Sequence, residues 1–152
     1  MKKFFGLLFV VTLAFTTIFF GNVDTSYAGP AAPLTKVHID QISKDGVEWE
    51  SIPNSSLYQA NTIIDGDYVY IRATFAGYSN TNLIYNVGNN ITRYAKEYKK
   101  EFITSGNIVV GFKRYYKIPI SEFTNVYSLQ ILGWSTTGTA QIWSNTISFL
   151  TE

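Results

Sequence analysis

Alternation of apolar and polar residues at a period of two is the feature that most restricts this chain. In "DYVYIRATFAG", residues 67 to 77, Val69, Ile71, Ala73 and Phe75 fall on one side, and Tyr68, Tyr70, Arg72 and Thr74 on the other. Successive side chains of a strand point to opposite faces, so such a stretch is a strand with one buried face. "NIVVGFK" repeats the pattern with Ile108, Val110 and Phe112, and "YSLQILGW" does so with Tyr127, Leu129 and Ile131. "QIWSNTISFL" sets Trp143, Asn145, Ile147 and Phe149 on alternate positions. Turn-forming clusters separate these runs: Asp65-Gly66-Asp67, residues 77 to 82, Gly88-Asn89-Asn90, residues 104 to 107 and residues 135 to 139. Short strands so spaced, rich in Tyr, Thr, Ile and Val, predict an all-β sandwich. Its expected core is Trp49, Val69, Ile71, Phe75, Ile108, Val110, Phe112, Leu129, Ile131, Ile147 and Phe149.

The first 28 residues follow a different logic. Lys2 and Lys3 precede an uncharged apolar stretch from Phe4 to Phe20, and Ser26-Tyr27-Ala28 supplies a small-x-small cleavage site, the layout of a secretory signal peptide. Thr12, Thr16 and Thr17 dilute the stretch, which disfavours an uncleaved anchor. Residues 1–28 are therefore read as a signal peptide and residues 29–152 as a single secreted domain, of a size that supports one core. Without Lys2, Lys3 and Asp24, the twelve bases and eleven acids become ten of each, so bulk charge names no partner. The chain has no cysteine, which excludes disulfides, thiolate metal sites and thiol nucleophiles. A cysteine-free secreted chain with this leader is in the style of a Gram-positive source.

Two stretches resemble a known architecture. "GPAAPLTKVHIDQISKDGVEWE" is similar to the opening of a fibronectin type III or related immunoglobulin-like domain: prolines first, an alternating strand, a short turn, then a strand that plants Trp49. "YSLQILGWSTTGTAQIWSNTISF" resembles the last two strands of that fold, with Tyr127 starting one, Gly138 in the hairpin and Ser144-Asn145-Thr146 in the last. Residues 77 to 117 depart from it. The resemblance implies an immunoglobulin-like β-sandwich that binds or spaces, and it carries no catalytic residues.

The chemistry-bearing residues are few. His38 is the only histidine, so there is no histidine cluster for zinc and no good base for a serine nucleophile. Glu48 and Glu50, about 6.5 to 7 Å apart on a strand, overlap the carboxylate spacing of glycosidases but would stand in one row instead of flanking a substrate. Asp65-Gly66-Asp67 reads as a tight turn, since calcium wants six to eight oxygen ligands. No phosphate loop or dinucleotide fingerprint occurs. The expectation is a protein without catalysis, metal or cofactor.

What remains is "RYAKEYKKEFITSGNIVVGFKRYYK", residues 93 to 117, with seven bases against Glu97 and Glu101, while residues 29 to 67 carry six carboxylates against two lysines. Either the two segments neutralise each other in the fold or they leave it with regions of opposite sign. Ile91, Tyr94, Ala95, Tyr98 and Phe102 fit one face of a helix. Tyr94, Tyr98 and Phe102 equally fit one face of a strand, in a hairpin closed by "TSGN", and the neighbouring strands favour that. Both readings put the aromatics on one side. Lys96, Lys100, Lys113, Arg114, Tyr115 and Tyr116 are the candidate ligand-binding residues, aimed at an anionic cell-wall polymer or a carbohydrate; the abundant tyrosines combine flat apolar area with a hydrogen-bonding tip. Nucleic acid is not an expected partner outside the cell, and the oligomeric state is left open. The alternative is a membrane-active toxin or antimicrobial factor that inserts a hairpin.

Overall fold

Each alternating stretch is a strand in the computed structural model, which describes residues 31–124 and 126–152. The expected signal peptide lies outside the described residues. In chain order the strands are β1 (Lys36–Ser43), β2 (Glu50–Ser51), β3 (Leu57–Ile64), β4 (Tyr68–Ala76), β5 (Ser79–Asn86), β6 (Asn89–Asn90), β7 (Lys96–Ser105), β8 (Ile108–Pro119), β9 (Ser128–Ser135), β10 (Gln141–Trp143) and β11 (Thr146–Thr151). They form a five-stranded sheet, β2-β1-β4-β8-β7, and a second sheet, β3-β11-β9-β5-β6, with β10 beside β9. All pairings between these strands are antiparallel except that of β3 with β11, the parallel pair. Between the sheets lie Val37, Ile39 and Ile42 from β1, Val69, Ile71, Ala73 and Phe75 from β4, Leu129 and Ile131 from β9, and Ile147 and Phe149 from β11. Burying each large aliphatic or aromatic side chain contributes about 1.5–3 kcal/mol, and alternation along every strand is what makes this one core possible. The all-β expectation is met.

Several finer expectations are not. Ile108 is 70% exposed at the start of β8, and Val110 is only half-buried. The reason is overhang: β4 ends its pairing with β8 at Ala76 opposite Gly111, and beyond that point the Gly77 N–H reaches the Val110 carbonyl and the Tyr78 hydroxyl the Val109 carbonyl without a further strand to cover Ile108. Trp49 is half-buried and packs edge-on against Tyr115, outside the core. Its backbone lies in the bend before β2, so strand alternation does not apply to it. Residues 96–105 are strand, and within residues 91–105 helical geometry is confined to the 3₁₀ turn at Thr92–Tyr94. The aromatics of this stretch do not share a side, because a bulge between Glu97 and Lys99 resets the alternation. Tyr98 joins Tyr70 and Tyr115 on the outer face, whereas Phe102 packs on Phe112. Trp143 also parts from Asn145, Ile147 and Phe149, because the chain breaks its pairing between β10 and β11.

That break has a structural role. Asn145 turns inward across the gap between sheets, where its Oδ1 accepts from the Ile39 N–H at 2.8 Å and its Nδ2 donates to the Ile39 carbonyl at 3.0 Å. The short β2 pairs only with Gln41 and Ile42, so the side-chain amide stands in for the strand that β2 does not extend to provide. Buried backbone groups must find partners. The fully buried Asn86 does similar work, donating to the Val126 and Ser128 carbonyls at 2.6 and 2.9 Å. Gly77 closes the turn between β4 and β5 at φ +98°, where an added Cβ would lie 2.0 Å from the Pro33 carbonyl oxygen. Only glycine fits both the left-handed backbone and that approach.

Candidate functional site

Strand alternation in the five-stranded sheet sends one set of residues to the core and the other outward. From β4 the outward set is Tyr68, Tyr70, Arg72 and Thr74; by register, Lys117, Tyr115 and Lys113 stand beside them on β8. Lys96, Lys99 and Glu101 continue the rows on β7, the edge strand. The rings form a connected chain: Trp49 to Tyr115 at 5.8 Å, Tyr115 to Tyr98 at 6.1 Å and Tyr98 to Tyr70 at 6.0 Å between centroids, all edge to face. This arrangement sets positive ring edges against negative ring faces. The surface is therefore corrugated, with fixed furrows between rings.

Cations lie in those furrows. Lys117 Nζ is 3.7 Å from the Tyr68 ring centroid and 5.6 Å from that of Tyr70, and Lys99 Nζ is 4.8 Å from that of Tyr115. Two charges on the face are neutralised internally. Arg72 makes a two-pronged pair with Asp40, at 3.0 and 3.1 Å, and Thr74 Oγ1 donates to the same carboxylate at 2.7 Å. Lys99 pairs with Glu101 at 2.7 Å, and that hydrogen bond holds the lysine pKa above its ordinary value and the glutamate below its own. Burial, then the neighbouring Tyr70 and Tyr115, push Tyr98 up, so it stays a neutral donor. Lys96, Lys113 and Lys117 make no ion pair among the described residues.

The six residues predicted from sequence are thus divided between two faces. Lys96 and Lys113 point outward onto this surface, and Tyr115 faces the same way but is buried beneath Trp49, Tyr98 and Lys99. Lys100, Arg114 and Tyr116 stand on the core side: Lys100 Nζ lies 4.1 Å from the Phe112 ring centroid, and Arg114 Nη1 pairs with Glu97 at 2.9 Å while its guanidinium lies over Phe75 and Phe112. Tyr116 is buried, and burial pushes its hydroxyl pKa far up. Adjacent strand residues alternate faces, so "KRYYK" could not act as one patch. Sequence reasoning placed Tyr70 on one strand face with Tyr68 and Arg72, but missed Lys99, Lys117, Tyr98 and Trp49 as companions of Lys113 and Tyr115. The signal was available for β4 and β8, where outward residues follow from period two, and absent for Tyr98, whose bulge leaves no mark in composition.

The acidic and basic segments do not neutralise each other. Residues 29–67 supply β1 and β2 at one edge of the sheet, and residues 93–117 supply β7 and β8 at the other; among the described residues no ion pair joins the two segments. At the acidic edge, a cleft of about 540 Å³ is lined by Lys44, Glu48, Trp49, Glu50, Asp65 and Glu152 among others. Glu50 is not a free carboxylate there. Its Oε1 accepts from Asn61 N at 2.9 Å and Tyr58 Oη at 3.0 Å, and its Oε2 from Thr62 N and Oγ1, both at 2.6 Å. Burial alone would raise its pKa, but these bonds outweigh that and hold it below the ordinary value. A carboxylate so committed caps the irregular stretch of β3. Lys44 takes Asp65 at 2.8 Å, and among the described residues no three His, Asp or Glu gather as a metal site would need.

The family described as "Domain of unknown function (DUF4879)" matches residues 29–149, and the chain belongs to that family. No curated protein and no solved structure matches the chain.

Proposed function

We propose that this member of the family is a secreted, non-catalytic protein with an immunoglobulin-like sandwich, and that it binds an anionic polymer of the cell envelope on the outer face of its five-stranded sheet. The observation that carries the reading is the interleaving on that face of Lys96, Lys113 and Lys117, free of ion pairs among the described residues, with Tyr68, Tyr70 and Tyr98. A chain of sugars or polyols bearing phosphates or carboxylates offers both partners: charge for the ammonium groups and C–H surface for the rings. Lys113 and Lys117 are four residues apart on β8, about 13 Å, which suits a repeating charge better than a single small anion. The phosphate-bearing wall polymers of a Gram-positive envelope are of this kind. Strand order supports the immunoglobulin-like assignment. Reading β1, β4, β8 and β7 as strands A, B, E and D, and β5, β9 and β11 as C, F and G, reproduces the two sheets of that architecture. The family match beginning at residue 29 fits a mature chain that starts there.

The test is retention of residues 29–152 on purified cell walls under a salt gradient. Binding should weaken at least about tenfold in Lys113→Ala/Lys117→Ala and in Tyr70→Ala/Tyr98→Ala, and wash out as salt shortens the screening length from about 10 to 3 Å. Retention indifferent to both salt and these variants would overturn the proposal. One observation favours the membrane-active reading as the second choice. The overhanging hairpin exposes Phe102 at 65% and Ile108 at 70%, an apolar tip flanked by lysines. Dye release from anionic vesicles, lost in Phe102→Ser/Ile108→Ser, would transfer the proposal to that reading.

A further inference from the structure

The opposite face of the molecule has a different chemistry. In the second sheet, register sends Thr81, Leu83 and Tyr85 outward from β5, and Ser128, Gln130, Leu132 and Trp134 from β9. Gln141 and Trp143 stand beside them on β10, and Ser148 and Leu150 on β11. None of these residues is charged, and the chain from Phe123 to Thr151 contains no Asp, Glu, Lys or Arg at all. Trp134 and Trp143 are 41% and 49% exposed on this surface. Trp143 leans on Tyr85 with ring centroids 5.1 Å apart, and Leu132 between them is buried although it faces outward. The result is an aromatic ledge with the amides of Gln130 and Gln141 within the same rows.

A cleft of about 390 Å³ opens beside the ledge, between β1 and β10, in the size range of small-ligand clefts. Trp143 forms part of its wall, and His38, Asn54, Ser55 and Ser56 supply hydroxyl, amide and imidazole groups. Lys36 is the single charged residue of the lining, and its amine donates to Asn54 Oδ1 at 2.8 Å. Burial, with Lys36 nearby, lowers the His38 pKa, so the imidazole is neutral at pH 7.

We propose that this cleft and the ledge running from it bind an uncharged sugar chain, with Trp143 as the stacking wall and Trp134 and Tyr85 extending the track. An apolar ring face with hydroxyls around its edge matches each requirement of the surface: flat aromatic area, neutral donors and acceptors, and no fixed charge. A carboxylate or phosphate would meet one already-engaged amine and otherwise lose its hydration without compensation. A protein partner is the poorer fit, because the middle of the face is polar, with Ser128, Gln130 and Ser148, whereas interface energy concentrates in a desolvated centre. The ledge lies on the opposite sheet and the cleft at the β1 edge between the two sheets, away from Lys96, Lys113 and Lys117 on β7 and β8, so the site stands or falls independently of the anionic-polymer surface.

The experiment uses Trp49→Phe protein, so that Trp134 and Trp143 are the only tryptophan reporters, titrated separately with cellohexaose, maltohexaose and the hexamer of N-acetylglucosamine. At least one should shift the emission saturably with a dissociation constant at or below about 1 mM. That constant should not change in about 1 M NaCl, where surface charge is screened, nor in Lys113→Ala/Lys117→Ala. It should rise about tenfold or more in Trp143→Ala; Trp134→Ala serves as the second variant, and near-ultraviolet circular dichroism checks that both are folded. Silence from all three sugars, or equal binding by folded Trp143→Ala and Trp134→Ala proteins, overturns the assignment. So does a dimer that Trp143→Ala dissolves, since the ledge would then be covered by a second copy of the chain.

Discussion

Replacing Glu50 with Gln removes one charge and changes almost no volume, so its effect isolates what the carboxylate does. Five donors converge on the two oxygens: Asn61 N, Asn61 Nδ2 and Tyr58 Oη on one, Thr62 N and Thr62 Oγ1 on the other. The better orientation of a glutamine keeps its oxygen toward Asn61 and Tyr58 and turns its amino group toward Thr62. The Thr62 hydroxyl can rotate to accept from it, but the Thr62 N–H cannot, and leaving this part-buried donor unpaired costs about 1–3 kcal/mol. Loss of charge from the surviving bonds adds about 1 kcal/mol, so Glu50→Gln should cost about 2–4 kcal/mol. For a chain of this size each kcal/mol lowers the melting temperature by roughly 3–5 °C, giving a drop on the order of 10 °C at pH 7 by calorimetry. The pH dependence carries its own sign. The folded pKa of Glu50 lies below its ordinary value of 4.5. Its contribution is therefore complete above that value and is lost as pH falls through the depressed folded pKa. The gap between wild type and Glu50→Gln should accordingly be full at pH 6 and shrink below pH 4.5. Equal melting temperatures at pH 7, or a gap that stays constant into acid, would refute the assignment of Glu50 as a structural cap.

Two further outcomes follow from buried polar groups. Asn145→Ala leaves both the N–H and the carbonyl of Ile39 unpaired, at about 1–3 kcal/mol each, so urea unfolding should show a loss of about 2–5 kcal/mol. Tyr116 buries a hydroxyl that has no hydrogen-bond partner among the described residues, so Tyr116→Phe should leave stability unchanged or raise it by up to about 1 kcal/mol, and cell-wall retention should be untouched.

Strand identity was legible because burial on one face forces period two, and this held for β4, β8 and β9. Tyr68, Tyr70 and Arg72 were correctly read as sharing a face, and that face carries the candidate site. Legibility failed wherever one residue shifts the phase. The bulge between Glu97 and Lys99 turned Tyr98 away from Phe102, and the break after Trp143 turned it outward from Asn145. Glu50, Asn86 and Asn145 were invisible in a different way, since a side chain bonded to backbone far along the chain has no local signature. The uncharged face was legible in principle: an unbroken run without charge from Phe123 to Thr151 supplies β9, β10 and β11, all in one sheet.

The parallel pairing of β3 with β11 joins Leu57 to Thr146 and Ile64 to Thr151. β11 is also antiparallel to β9, so β3 has no partner in that sheet until β11 has been made, whereas β9, β5 and β6 pair without it. A ribosome or translocation channel still holding β11 would keep β3 unpaired and the sandwich open. Non-local pairings of this kind are slow to form. The order of synthesis therefore sets the order of assembly: β5, β6 and β9 can pair as they emerge, whereas β3 waits for β11.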